Sequence, residues 1–193
     1  PDLIENYNTE FSKSINLGVL GADLGYLNIY NKTSYILDYL TSIKAVSEDL
    51  RVGQFFDFSL LKRLSSNNEN LDSLMLISVS SFNRMDNYLR ENKRSDASVL
   101  MVTGVWIESL YLATEVSANV KDNQINERIA LQKISLNDLI LVLKVYKEKS
   151  GFSQLISDFE ELKAVYDPIK INVEKGEPTT KEEDGILIIV QND

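Results

Sequence analysis

The chain has 193 residues, which is long enough for one domain with a substantial buried core. It has 29 acidic and 20 basic residues, a net charge of −9, and scattered bases, so we expect no nucleic-acid partner, which would need a basic face. The absence of Cys and His excludes disulfides, the Ser-His-Asp triad and nearly all zinc, copper or di-iron sites. We therefore predict no metal, no cofactor and no catalytic residue.

Helical spacing of the apolar residues predicts a soluble, all-α bundle of about six to seven helices. The eight Gly and three Pro are few for a fold with many turns. No apolar run approaches the ~20 residues that a membrane-spanning helix needs, so we expect no transmembrane segment in this chain. The predicted helices cover approximately residues 9–31, 33–50, 57–64, 68–89, 95–116, 125–147 and 152–166.

The first predicted helix is apolar on most sides and contains an unusual number of glycines. Gly18 and Ala22, and likewise Gly21 and Gly25, are small pairs four residues apart on one helical face. A glycine inside a helix costs about 1 kcal/mol relative to alanine, so a structural reason for it is expected. The small pairs predict the close approach of a neighbouring helix or, less often, of a ligand.

The fifth predicted helix, 95–116, is also apolar nearly all round, and it resembles the first. A shift of 83 residues superposes apolar positions of residues 17–27 on those of residues 100–110, including Gly21 on Gly104. Two similar helical halves would explain the match, and so would chance agreement between two apolar helices.

The pattern changes after Pro168, which ends the last predicted helix. Ile169, Ile171 and Val173 alternate with polar residues, and 186–190 is a β-branched run, which together indicate a short hairpin or an irregular tail. We therefore divide the chain into a helical domain, 1–168, and an acidic C-terminal hairpin or tail, 169–193.

Asp23 and Glu108 are carboxylates within the two most apolar helices. A buried carboxylate is costly unless it is paired, protonated or open to a cavity. Arg128 and Gln132 are the first candidates to pair with Glu108, and Lys44 and Lys133 are further ones. Tyr26 and Tyr111 each follow one of the acids by three residues and share its face. The candidate ligand-binding residues are Asp23, Tyr26, Glu108, Tyr111, Arg128 and Gln132.

Three interpretations of this buried charge are open. Asp23 and Glu108 could belong to a closed salt-bridge and tyrosine network that only holds helices together, which is the interpretation we favour for these residues. They could instead line a polar pocket with Arg128 that orients a small molecule. The third interpretation, a glycosidase-like pair of carboxylates, is the least favoured, because a helical bundle without His rarely hosts hydrolysis.

Four segments resemble a family of uncharacterised all-helical proteins of Bacteroidetes-type bacteria that are described as lipoproteins. The segments are residues 16–26, 70–74, 104–111 and 128–133, and they span most of the helical body. The resemblance implies a lipid-anchored protein of the cell envelope, periplasmic or surface-exposed, with any anchor upstream of residue 1. It implies no reaction. We therefore predict an envelope-associated binding module for a small molecule or a protein partner, with a purely structural scaffold as the alternative and an enzyme as the least favoured one.

Overall fold

The computed structural model describes residues 7–30, 32–65, 71–171, 179–183 and 186–190, and the fold is an all-α bundle. This confirms the predicted fold class. Each helix lies within a few residues of its predicted position. The described helices are α1 (Glu10–Ile29), α2 (Thr33–Asp49), α3 (Phe58–Ser65), α4 (Leu71–Glu91), α5 (Ser95–Asn119), α6 (Asn123–Lys144) and α7 (Phe152–Tyr166), with a 3₁₀ turn at Gly53–Phe55.

The helices α1 and α5 run parallel through the centre of the bundle, and the others pack around them. α1 contacts α2, α4 and α5, α5 also contacts α4 and α6, and α7 covers α6. At the start of this central pair, Thr9 caps α1 by accepting a hydrogen bond from the Ser12 amide at 3.0 Å. Arg94, just before α5, donates to Glu10 at 2.9 Å and to the Leu50 carbonyl at 2.8 Å, which ties α1, α2 and α5 together.

The core consists of two clusters on the two sides of the central helices. The first cluster joins the inner faces of α1, α2, α3 and α4 to the start of α5, and Leu17, Ile43 and Leu74 are fully buried in it. The second joins α5, α6 and α7 around Leu136 and Leu143, which are also fully buried. The central helices therefore supply apolar residues to both clusters, which explains why their sequences are apolar nearly all round.

A two-stranded antiparallel hairpin, β1 (Thr179–Glu183) and β2 (Ile186–Val190), follows the helices, with Thr179 opposite Val190. Of the two expectations for this part of the chain, a hairpin or an irregular tail, the hairpin is observed, and the β-branched run 186–190 forms β2. Its partner is not the alternating segment 169–173: the Ile169 amide donates to the Tyr166 carbonyl at 3.0 Å, and Lys133 donates to the Ile169 carbonyl at 2.8 Å. These bonds continue the turn after α7 and hold it against α6, and Val173 lies outside the described residues.

By length and composition alone, α5 could cross a membrane, and within the described part of the chain no other helix meets that test. A core helix of a bundle meets the same test, and α5 contacts α1, α4 and α6 here.

Candidate functional site

The crossing of α1 and α5 depends on two glycines that face the opposite backbone. A Cβ at Gly18 would lie 2.8 Å from the Val105 nitrogen and nearer still to the Met101 carbonyl oxygen. A Cβ at Gly104 would lie 3.1 Å from the Val19 nitrogen and nearer still to the Ile15 carbonyl oxygen. The helices approach this closely only because neither position has a side chain. The prediction that α1 packs closely against a neighbouring helix is confirmed at Gly18.

One turn beyond this crossing, Asp23 of α1 and Glu108 of α5 are hydrogen-bonded to each other. Both side chains are half-buried, and Tyr39 of α2 also hydrogen-bonds Asp23. Two ionised carboxyl groups in contact repel each other, which favours the state in which one of them holds a proton. Below about pH 7 Glu108 holds this proton and donates it to the Asp23 carboxylate.

The titration of this pair follows from its surroundings. Burial, the negative charge of Asp23 and the hydrogen bond to it raise the pKa of Glu108 from 4.5 to about 7. Burial also raises the pKa of Asp23, although the hydrogen bonds from Glu108 and Tyr39 oppose that increase. Tyr7 lies close enough that burial and the charge of Asp23 raise its pKa as well. Near neutral pH the pair thus changes between one and two negative charges.

Three of the four partners predicted for these acids, Lys44, Lys133 and Gln132, are bonded to other groups, so those predicted pairings are wrong. Lys44 lies 3.8 Å from Glu48 in an ion pair, and Lys133 donates to the carbonyls of Asp167 and Ile169. Gln132 accepts a hydrogen bond from the Trp106 indole at 2.9 Å. Gln132 contacts Trp106 and not Glu108 because these two residues are two positions apart on α5 and so point to nearly opposite sides of the helix.

Arg128 is exposed on α6 and forms no ion pair within the described residues. The predicted ion pair between Arg128 and Glu108 is therefore not formed. Arg128 lies instead beside a large cavity on the other side of the central helices.

This cavity has a volume of about 770 Å³ and lies between α4 and α6, over the C-terminal halves of α1 and α5. Small residues of α1 and α5 form its floor, and mostly apolar or aromatic side chains form its walls. The floor includes Gly21, Ala22, Gly25, Ser109 and Ala113, and the walls include Tyr26, Ile29, Tyr30, Met75, Val79, Trp106, Leu110, Leu112, Val116, Ile125 and Ile129. Its polar lining residues besides Ser109 are Asp122, Gln124, Arg128 and Gln132.

The walls of the cavity are held by specific contacts. The hydrogen bond from Trp106 to Gln132 joins α5 to α6, and the Trp106 ring lies 5.6 Å from that of Phe159 of α7. The rings of Tyr26 and Tyr30 lie 4.5 Å apart at the end of α1. Aromatic pairs and a hydrogen-bonded indole give these side chains defined orientations.

The structure therefore divides the six candidate residues between two sides of the α1–α5 pair. Tyr26, Arg128 and Gln132 line the cavity, whereas Asp23 and Glu108 meet on the other side and are not among its lining residues. Tyr111 is 54% exposed and is not among them either.

Sequence reasoning missed the small residues of α5, Ser109 and Ala113. Their signal was present, because they lie four residues apart in the same way as Gly21 and Gly25 of α1. The described residues contain no group of three or more His, Cys, Asp or Glu that could hold a metal ion.

Comparisons with protein-family models, with curated proteins and with solved structures found no match to this chain. The lipoprotein resemblance thus stays a prediction, and function has to be argued from the geometry of the two sides of the central helices.

Proposed function

We propose that this chain is a binding module that holds a small, mainly apolar molecule in the cavity between α1, α4, α5 and α6. The carrying observation is the cavity itself, whose volume of about 770 Å³ lies in the range of ligand pockets, roughly 300–1,000 Å³. Apolar and aromatic walls with a few polar groups are typical of such pockets, and spaces between bundle helices are a usual place for them.

The floor of the cavity supports this proposal because the space beside Gly25 is not filled by another side chain. A Cβ at Gly25 would meet only the Met75 methyl group, at 3.9 Å, whereas a Cβ at Gly21 would collide with the Phe82 ring. Packing therefore accounts for the glycine at position 21 but not for the one at position 25. A glycine inside a helix costs about 1 kcal/mol, and space for a ligand is a reason to retain it.

The Asp23–Glu108 pair supports a bracing role and not acid–base catalysis. In glycosidases the two carboxyl groups are about 5–10 Å apart, with substrate or water between them. Here they are in direct hydrogen bond, with Tyr39 bonded to Asp23, and neither lines the cavity.

The binding of a neutral apolar dye tests the proposed function, because the chain has one tryptophan, Trp106, and it lines the cavity. Titration with Nile red should quench Trp106 emission with saturation at one dye per chain. Gly25→Leu places a side chain in the cavity and should weaken dye binding at least tenfold, without lowering the melting temperature. Gly25→Ala, which fills little of the volume, is the matched control and should retain most of the binding.

Equal dye affinity in the wild type and Gly25→Leu would contradict the proposal that the cavity is the binding site. A proportional loss of affinity and of melting temperature in Gly25→Leu would show that the variant acts on the fold, and Ala22→Leu on the same floor would then replace it.

We also propose that the protein is lipid-anchored at the cell envelope, which rests only on the resemblance of segments 16–26, 70–74, 104–111 and 128–133. Fractionation of the cells that produce the protein, with an antibody to this chain, should place it with the membrane, from which detergent releases it and high salt does not. Recovery of the chain in the cytosolic fraction would contradict this location without affecting the binding proposal.

A further inference from the structure

We infer that the ligand of the cavity is an amphipathic anion, with an apolar body against the cavity walls and a negatively charged group against Arg128. This inference rests on the proposed function and specifies its ligand class. It follows from the state of each charged group at the cavity.

Arg128 is the one basic residue among those that line the cavity. It is exposed and forms none of the ion pairs of the described residues, in contrast to Arg94, which is bonded to Glu10 and to the Leu50 carbonyl. Lys133, further along α6, is likewise engaged by two backbone carbonyls. Arg128 therefore keeps its five N–H donors available for a carboxylate, sulfonate or phosphate group, which a guanidinium binds in a bidentate manner.

Two of the other polar residues at the cavity, Asp122 and Gln132, are already hydrogen-bonded. Asp122, the one acidic lining residue, accepts a hydrogen bond from the Gln124 amide at 2.8 Å and so caps α6. Gln132 accepts from the Trp106 indole, and its amide nitrogen donates to the Arg128 carbonyl at 3.3 Å. The Arg128 guanidinium is thus the one positive charge among the lining residues, and within the described residues no carboxylate forms an ion pair with it.

The net charge of the protein distinguishes a local contact at Arg128 from general attraction of anions. At a net charge of −9 the protein repels anions at long range, so general electrostatic attraction would not bring an anion to the cavity. An anionic amphiphile that binds more tightly than its neutral analogue must then gain from a local contact. A neutral or cationic ligand would leave Arg128 without a partner beside an apolar wall.

A matched pair of probes, dodecanoate and 1-dodecanol, below their aggregation concentrations, tests the inference. Both should compete with Nile red, and dodecanoate should bind more tightly. Arg128→Gln should weaken dodecanoate by about tenfold, the usual scale of a charge-assisted hydrogen bond, and leave dodecanol within about twofold. Asp122→Asn retains a capping side chain but removes the opposing charge, so it should tighten dodecanoate a few-fold.

Arg63→Gln is the control for net charge, because it removes the same charge from an exposed position on α3. It should leave the affinity of both probes unchanged. Full dodecanoate affinity in Arg128→Gln would overturn the inference, and so would equal affinity of the wild type for dodecanol and dodecanoate. If either result were found while Gly25→Leu still abolished Nile red binding, the proposed binding function would be supported and the anionic ligand class would be contradicted. If no probe bound the wild type, both would fall.

Discussion

The two sides of the α1–α5 pair differ in what they do with polar groups and with space. On one side Asp23, Glu108 and Tyr39 form a compact hydrogen-bonded cluster. On the other side Gly21, Gly25 and their neighbours leave a cavity of about 770 Å³ with mostly apolar walls. The same two helices thus carry a polar contact that joins them and a space that separates α4 from α6.

This difference shows that half-buried charge and a cavity need not coincide. A carboxylate inside an apolar helix is an obvious candidate for a functional site. A hydrogen bond from a protonated carboxyl group can nevertheless stabilise it there without any ligand. Missing side chains are less conspicuous in a sequence, yet they determine where a ligand fits.

The largest effect is expected at the α1–α5 crossing, on which both sides depend. Gly18→Ala and Gly104→Ala place a methyl group against the opposite backbone, which cannot move aside as a flexible side chain could. Each should lower the free energy of unfolding by about 3 kcal/mol, the upper range for overpacked cores. Urea denaturation followed by far-UV circular dichroism measures this change. Wild-type stability in both variants would contradict the close crossing.

The carboxyl pair should make stability depend on pH. Because the pKa of Glu108 rises from 4.5 to about 7 on folding, its contribution is complete below about pH 4.5 and is lost as the pH rises through about 7. The melting temperature of the wild type should therefore fall between pH 5 and pH 8. The chain has no His to titrate in this window.

Glu108→Gln should flatten this pH profile and raise the melting temperature at pH 8, since the glutamine amide can donate to the Asp23 carboxylate without a second charge. Glu115→Gln, at an exposed position of the same helix, is the control and should keep the wild-type slope. A profile in Glu108→Gln as steep as that of the wild type would contradict the shared proton.

A smaller effect is expected where the cavity wall joins α5 to α6. Gln132→Met removes the acceptor of the Trp106 indole while keeping a side chain of similar length. Loss of one partner of a partly buried hydrogen bond should cost about 1 kcal/mol, and the changed surroundings of Trp106 should shift its emission maximum. An unchanged emission spectrum would indicate that the indole does not depend on Gln132.

The smallest effect has the opposite sign. Gly25→Ala adds a methyl group that meets only the Met75 side chain at ordinary contact distance, so the helix gains from alanine without a clash. The free energy of unfolding should rise by roughly 0.5–1 kcal/mol. A loss of stability would show that the floor of the cavity is packed more tightly than described, and would weaken its contrast with Gly18.

Most of the fold could be predicted from the sequence, because the helical spacing of apolar residues is a local signal. The partner of β2 could not be predicted. The segment 169–173 alternates as a strand would, but the Ile169 amide donates to the Tyr166 carbonyl and Lys133 donates to the Ile169 carbonyl, which holds Ile169 against the helices. The site was predictable only in part. Periodicity marked Asp23 and Glu108 as buried, but their contact with each other depends on how α1 crosses α5.

We propose ligand binding for the cavity side of the α1–α5 pair and a bracing role for the carboxyl side. Dodecanoate titrations of Gly25→Leu and Glu108→Gln, measured together at pH 8 by Trp106 fluorescence, distinguish these two roles. We predict that Gly25→Leu loses binding by at least about tenfold at an undiminished melting temperature, whereas Glu108→Gln binds as the wild type does. The reverse result, with binding lost in Glu108→Gln and retained in Gly25→Leu, would contradict the claim.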